Sequence, residues 1–172
     1  MLQRVLGFFA SLFDFFDPSD DEAERPPEAR DVPERFTIIP DDYHAEDVGT
    51  AGDGRHFFLA NTFSGDGEFV STFFWKPDGT FDSIEVDALG PRESVDMAAL
   101  DAARARQFDL LGDFTRNPIS VAPFAVQSHG TEFGFVARAA DPEDADDIAT
   151  ITIQPGNYIA YYWPWDGEGY DT

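Results

Sequence analysis

Histidine is the residue type in this sequence best suited to acid–base or metal chemistry, because its imidazole titrates near neutrality without perturbation. His44 lies in the run from Asp41 to Asp47, among four carboxylates. Such a cluster can bind a divalent cation through His44 and Asp42 or Asp47, or orient His44 as a general base. Carboxylates near a histidine also occur by chance here, since 34 of the 172 residues are acidic. The pattern therefore favours a solvated loop and keeps His44 and Asp47 as catalytic candidates.

The other two histidines, His56 and His129, are predicted to occupy structural positions. His56 begins an apolar run typical of a strand, and His129 lies in Ser128-His129-Gly130-Thr131, which is typical of a hairpin turn. Because catalytic groups from separate loops can meet in a folded chain, His129 stays a third catalytic candidate. One functional hypothesis is therefore a small hydrolase or metal-dependent enzyme using His44, Asp47 and His129, with a cleft bordered by two C-terminal tryptophans, Trp163 and Trp165.

No linear motif supports an enzyme class. The sequence lacks the glycine-rich nucleotide fingerprint, the phosphate loop and the Gly-x-Ser-x-Gly elbow. It contains no cysteine, which excludes disulfides, thiolate metal sites and a cysteine nucleophile. The run from Asp141 to Asp147 holds five acids but lacks the ligand spacing and central glycine of an EF-hand loop. We therefore predict no cofactor and no bound metal.

The C-terminal stretch from Gln154 is rich in aromatic residues. Pro155-Gly156 predicts a turn into a strand, along which neighbouring rings alternate between opposite faces. At least one face then presents rings with polar tips, which suit contact with a protein or ligand because they bury area and keep a hydrogen-bonding group. The alternative is that the rings roof the core. The predicted partner-binding residues are Tyr158, Tyr161, Tyr162, Trp163 and Trp165.

The first 17 residues place apolar side chains at helical spacing and predict an amphipathic helix. This helix is too short to span a bilayer, and Arg4 alone is a poor match to the basic region of a secretory signal. We expect it to dock on the domain, on a partner or on a membrane surface, which favours a cytoplasmic protein that can be peripheral to the membrane. The predicted docking residues are Leu2, Val5, Leu6, Phe9, Phe13 and Phe16.

Residues 18 to 34 predict an acidic, proline-rich linker. They hold seven acids and four prolines, with Val32 as the only sizeable apolar residue, so they cannot form a core of their own. We expect an extended tether between the N-terminal helix and the domain. The alternative is an ordered connector laid on the surface of the domain.

Residues 35 to 172 predict one α+β domain, with a mostly antiparallel hairpin meander covered by one helix. Asp-Gly pairs punctuate the apolar runs, and Lys76-Pro77-Asp78-Gly79 predicts a hairpin turn. The helix is predicted from an N-cap at Ser94 or Asp96 to Gly112. A β-sandwich with a decorating helix is the alternative. The predicted strands are Phe36 to Ile39, His56 to Phe63, Glu68 to Trp75, Thr80 to Val86, Ile119 to Gln127, Glu132 to Ala139, Ala149 to Ile153 and Tyr158 to Trp163.

The aromatic C-terminal stretch, together with Asp42-Tyr43-His44 and Gly54-Arg55-His56-Phe57-Phe58, resembles a group of prokaryotic proteins that have no assigned function. The resemblance covers the domain from Arg35 onward. It implies a prokaryotic protein whose domain occurs as a compact unit. It carries over no activity, ligand or catalytic residue.

The net charge is the most unusual bulk property, with 34 acidic and 11 basic residues giving −23. This charge opposes binding to the phosphates of DNA or RNA. Its dispersal along the chain favours a surface adapted to high internal salt, and the alternative is an acidic face for a basic partner. Together with the absent catalytic motifs and the aromatic C-terminus, these observations favour a non-catalytic protein-interaction module tethered by the N-terminal helix.

We predict that the domain is more stable in molar salt than in dilute buffer. Residues 35 to 172 carry 25 acids and 8 bases, and their repulsion weakens when the screening length falls from about 10 Å to about 3 Å. Thermal unfolding followed by circular dichroism at about 0.1 M and about 1 M potassium chloride checks this expectation. A melting temperature that is unchanged or lower in molar salt would contradict the high-salt interpretation.

Overall fold

The computed structural model describes residues 26–65 and 67–172, so the predicted N-terminal helix and residues 18 to 25 lie outside the described residues. The described part contains twelve strands, one α-helix and two short 3₁₀ helices, Pro27–Arg30 and Arg92–Ser94. The strands and the helix are β1 (Phe36–Ile38), β2 (Asp47–Thr50), β3 (His56–Ser64), β4 (Gly67–Trp75), β5 (Phe81–Pro91), α1 (Met97–Leu111), β6 (Thr115–Arg116), β7 (Ile119–Val121), β8 (Phe124–Ser128), β9 (Thr131–Arg138), β10 (Thr150–Gln154), β11 (Ala160–Tyr161) and β12 (Tyr170–Asp171).

Two five-stranded sheets make up most of the domain. The first has the strand order β5-β4-β3-β2-β6 and the second has the order β12-β11-β10-β9-β8, while β1 and β7 form a separate pair. All pairings among these strands are antiparallel. The predicted α+β class with mostly antiparallel strands is confirmed. The single meander is replaced by two sheets, which is the layering of the sandwich alternative.

The core between the two sheets is mainly aromatic. Phe58 of β3 meets Phe135 of β9 edge-on, with ring centroids 5.1 Å apart, and Phe73 of β4 meets the same ring at 5.7 Å. All three side chains are fully buried. Edge-to-face packing of this kind adds to the apolar burial that holds the sheets together.

β3 is buried on both faces because α1 covers the side of the first sheet opposite this core. Phe58 and Ala60 belong to the core between the sheets, whereas Phe57 and Leu59 belong to a second cluster under α1. Successive side chains of a strand point to opposite faces, so a central strand with two covered faces is a continuous apolar run. This explains the unbroken sequence from Phe57 to Ala60.

The caps of α1 are those that the sequence predicts. Asp96 accepts a hydrogen bond from the backbone N–H of Ala99 at 2.7 Å, and Gly112 ends the helix with a φ of 61°. An N-cap carboxylate satisfies a free N–H of the first turn, and glycine adopts positive φ without a steric cost.

A buried glutamine fixes α1 to the first sheet. Gln107 is 3% exposed and accepts a hydrogen bond from the hydroxyl of Thr72 in β4 at 2.7 Å. Its amide nitrogen donates to Asp87 of β5 at 2.9 Å. These bonds satisfy the buried amide, so the helix is held in a defined register over β4 and β5.

Two predicted hairpin turns are observed. The N–H of Gly79 donates to the carbonyl of Lys76 at 2.7 Å, and the N–H of Lys76 donates to the carbonyl of Thr80 at 2.8 Å, which closes the hairpin of β4 and β5. His129 occupies the turn between β8 and β9 with a φ of 50°. Local turn chemistry therefore determines both connections.

Two of the predicted strands are corrected by the structure. The predicted strand from Ile119 to Gln127 is divided into β7 and β8, which belong to different sheets, because Pro123 has no N–H for a ladder bond. The predicted strand from Tyr158 to Trp163 is observed only at Ala160–Tyr161. Pro164 and the following turn end it early.

No helix among the described residues is long and apolar enough to cross a membrane.

The end of the predicted linker is attached to the domain. Ala29 is buried, and its carbonyl accepts a hydrogen bond from the N–H of Ala149 at 2.9 Å. The guanidinium of Arg30 donates to the carbonyls of Ala145 at 3.0 Å and Asp147 at 3.1 Å, and also to that of Asp141. Over residues 27 to 31 the structure therefore corresponds to the alternative, an ordered connector on the surface.

We predict that Arg30→Ala lowers the free energy of unfolding by about 1–2 kcal/mol, because it removes charge-assisted hydrogen bonds to several carbonyls of one loop. Urea unfolding of the full chain measures this loss. Arg35→Ala is the matched control, since it removes an equal charge from an exposed residue for which the structure gives no side-chain hydrogen bond. Equal stability of the two variants would show that the connector adds nothing to the fold.

Candidate functional site

One carboxylate organises the loop that precedes β2. Asp41 accepts hydrogen bonds from the backbone N–H groups of Tyr43, His44 and Ala45 at 2.8, 2.9 and 2.8 Å, and its second oxygen accepts one from the hydroxyl of Tyr170. Burial alone would raise the pKa of Asp41, but these hydrogen bonds outweigh it and hold the pKa below its ordinary value. Asp41 thus has a structural role and fixes the backbone that presents Tyr43 and His44.

Asp47 is the only buried carboxylate in the described part of the chain, with 2% exposure. Its two oxygens accept hydrogen bonds from Arg104 of α1 and Arg116 of β6, both at 2.7 Å. Asp47 also raises the pKa of Arg116 above its ordinary value through this bond. Because both oxygens are engaged, Asp47 holds the fold together, and it is not the partner that orients His44. Its predicted catalytic role stays a prediction.

A cleft of about 160 Å³ lies where this loop, β3, α1 and the loop before β11 meet. Ligand pockets usually measure about 300–1,000 Å³, so this cleft suits one side chain or a small molecule better than a cofactor. Leu59 and Ala60 supply its most apolar, nearly buried part. The residues that line it are Tyr43, His44, Glu46, Asp47, Leu59, Ala60, Asn61, Arg104 and Tyr158.

Three rings follow one another along the cleft. The centroids of Tyr43 and His44 lie 3.9 Å apart, and those of His44 and Tyr158 lie 5.5 Å apart. Tyr43 is 74% exposed, whereas Tyr158 is partly buried against the core, and this burial raises the pKa of its phenol. The rings therefore form a continuous aromatic wall from solvent to the interior, and the phenol of Tyr158 is neutral at physiological pH.

The charged groups of the cleft differ in how far they are engaged. Arg104 pairs with Asp47 and donates to the side-chain oxygen of Asn61 at 3.4 Å. Glu46 is exposed and forms no salt bridge with any residue in 26–65 or 67–172. The cleft thus combines an arginine paired with a buried carboxylate, an exposed carboxylate and a wall of rings.

The predicted catalytic set of His44, Asp47 and His129 is not brought together. His129 is exposed at the β8–β9 turn, with its Nδ1 2.9 Å from the hydroxyl of Ser128, and it does not line the cleft. Neither Trp163 nor Trp165 borders the cleft, contrary to the hydrolase hypothesis. Over the described residues there is no group of three or more His, Cys, Asp or Glu side chains placed to hold a metal.

The predicted partner-binding aromatics fall into different environments. Tyr161 is 2% exposed and packs on Phe36 with centroids 5.2 Å apart, so the structure places it in the core. Trp165 is partly buried against the core, and Tyr162 is half-buried. Trp163 is 40% exposed. Tyr158 lines the cleft.

Sequence reasoning missed Tyr43, Asn61 and Arg104 as site residues. Tyr43 had a usable signal, since it is an aromatic residue next to His44 in an acidic loop. Asn61 and Arg104 carried none, because they reach the cleft from a central strand and from a helix 43 residues away in sequence.

Comparison of the chain with protein-family models, with curated proteins and with solved structures finds no match. The resemblance to prokaryotic proteins stays a prediction.

Replacing Tyr170 by phenylalanine is predicted to destabilise the fold at neutral pH by about 1–2 kcal/mol, because Asp41 loses a hydroxyl donor. The bond to Asp41 raises the pKa of Tyr170 to about 12. A phenol whose pKa rises on folding stabilises the fold below its unfolded pKa of about 10, and this contribution is lost as the pH rises through the folded value. The difference between wild type and variant should therefore shrink between about pH 10 and about pH 12.

Urea unfolding of the full chain at neutral pH and at about pH 11 measures this difference. Tyr162→Phe is the control, because the hydroxyl of Tyr162 makes no hydrogen bond within the described part of the chain. A Tyr170→Phe variant as stable as Tyr162→Phe at neutral pH would contradict the role assigned to the bond with Asp41.

Proposed function

We propose that this chain is a non-catalytic protein-interaction module that binds a basic protein partner. The observation that carries the proposal is the 74% exposure of Tyr43 on a loop whose backbone is fixed by Asp41. An exposed ring on a fixed backbone beside a cleft is typical of an anchor residue, since the backbone loses little conformational entropy when a partner covers the ring.

The distribution of charge supports a basic partner. Most of the arginines in the described residues are engaged within the molecule: Arg55 pairs with Asp53 and Asp82, for instance, and Arg138 pairs with Asp147. The net charge of −23 therefore reaches solvent mainly as carboxylates. Such a surface accelerates encounter with a basic partner and disfavours acidic ones. Adaptation to high salt accounts for the same composition without a partner, and the two interpretations are compatible.

The alternative is a small hydrolase or metal-dependent enzyme using His44, Asp47 and His129. The engagement of both Asp47 oxygens by arginines weighs against it, and so does the position of His129 outside the cleft. Tethering by the predicted N-terminal helix, with peripheral contact to a membrane, remains part of the proposal. The helix lies outside the described residues.

Affinity capture from a native lysate at the working salt of the organism tests the proposal. Tyr43→Ser combined with Trp163→Ser is expected to reduce capture of a basic protein by about tenfold or more, because both exposed rings are removed. Met97→Ser combined with Leu110→Ser is the matched control, since these α1 side chains are also apolar and exposed, at 68% and 49%. Equal capture by both double variants would contradict the proposal.

Loss of a hydrolytic activity in His44→Gln, with capture unchanged, would favour the enzyme. A panel of ester, phosphoester and peptide substrates supplies the activity measurement. The variant keeps a polar side chain of similar size, so its melting temperature is expected to match that of the wild type within a few degrees.

A further inference from the structure

The size of the cleft limits what can enter it. Its volume of about 160 Å³ lies below the range of about 300–1,000 Å³ that ligand pockets usually measure. That space accommodates the end of one long amino-acid side chain. It does not accommodate a nucleotide or a folded peptide segment, so the cleft is suited to a single anchor residue of a larger partner.

The aromatic wall favours a cation over an anion or an alkyl chain. The faces of tyrosine rings carry negative electrostatic potential, so an ammonium or guanidinium within about 6 Å of a ring centroid is attracted. Tyr43 stands at the entrance and Tyr158 lies deeper, with the ring of His44 between them. A cation moving inward would keep an aromatic neighbour along its path.

The charges around the cleft lead to the same preference. Arg104 is the only lining cation, against the two lining carboxylates Glu46 and Asp47, and Asp47 pairs with Arg104 at 2.7 Å as well as with Arg116. Glu46 is the lining carboxylate without a salt bridge among the described residues. An incoming cation would therefore meet Glu46 and the tyrosine rings in a cleft whose lining holds two carboxylates and one guanidinium.

We propose that the cleft bounded by Tyr43, Tyr158 and Glu46 receives one lysine or arginine side chain of the basic partner. The inference rests on the proposed function and names the group through which that partner is anchored. It assigns Tyr43 and Tyr158 to cation–π contact and Glu46 to the ion pair.

Titration of the isotope-labelled full chain with small side-chain analogues, followed by nuclear magnetic resonance, tests the inference. The probes are n-butylammonium for lysine, n-propylguanidinium for arginine, and butyrate as an anion of similar size, all at one fixed ionic strength. At least one cationic probe is expected to saturate shifts of Tyr43, His44 and Asn61 at about 1–10 mM. Butyrate is expected to leave them unchanged. Which cation binds more tightly distinguishes lysine from arginine.

Variants of exposed residues identify the contacts without disturbing the fold. Tyr43→Leu should weaken binding of the cation about three- to fivefold, while Tyr43→Phe, which keeps the ring, should stay within about twofold. Glu46→Gln should weaken it by about two- to fivefold. Glu132→Gln is the matched control, because it makes the same change at an exposed position in β9 that does not line the cleft.

Saturable binding of butyrate instead of the cations would overturn the inference and make Arg104 the recognising group. Cation-induced shifts spread over the acidic surface, with equal effects of Glu46→Gln and Glu132→Gln, would overturn it as well. In either case a basic protein captured through Tyr43 and Trp163 would leave the proposed function standing. If no basic protein is captured but the cationic probes still bind the cleft, the proposed function is rejected and the cation site is retained.

Discussion

The burial of Asp47 between two arginines is the interaction on which the rest of the site depends. β2 supplies the carboxylate, α1 supplies Arg104 and β6 supplies Arg116. A lone carboxylate at 2% exposure would cost several kcal/mol of solvation. The arrangement of the helix over the first sheet and the pairing of its edge strand therefore satisfy the same charge. A cleft can form beside Asp47 because these three elements are fixed in place there.

Pairing of arginines within the molecule also determines which charges its surface presents to solvent. Arginines that would otherwise balance surface carboxylates are used to join secondary-structure elements, as Arg106 does with Asp87 and Arg30 does with the loop from Asp141 to Asp147. The sequence has few basic residues, and most of them join secondary-structure elements, so the surface that remains is acidic. The cation recognition that we propose rests on this division of charge, because negative surface potential and ring faces both attract a cation.

Local chemistry made part of the fold predictable. The cap at Asp96, the stop at Gly112 and the turn before β5 depend on neighbours within a few residues, and all were expected from the sequence. The division into two sheets and the cleft depend on distant pairs instead. Asp47 and Arg116 are 69 residues apart, and Asp41 and Tyr170 are 129 apart. No periodicity or motif marks such pairs in a single sequence.

The attachment of Ala29 and Arg30 to the domain also sets the radius within which the N-terminal segment can search for a surface. If the chain were tethered only from residue 34, the 17 residues after the predicted helix would extend by at most about 60 Å. Anchoring at Ala29 leaves the eleven residues from 18 to 28 and at most about 40 Å. A shorter linker keeps the N-terminal segment and the domain within a smaller volume. When the N-terminal segment binds a surface, the effective concentration of the domain near that surface is therefore higher. A membrane or protein held by the N-terminus would therefore act on the domain at close range.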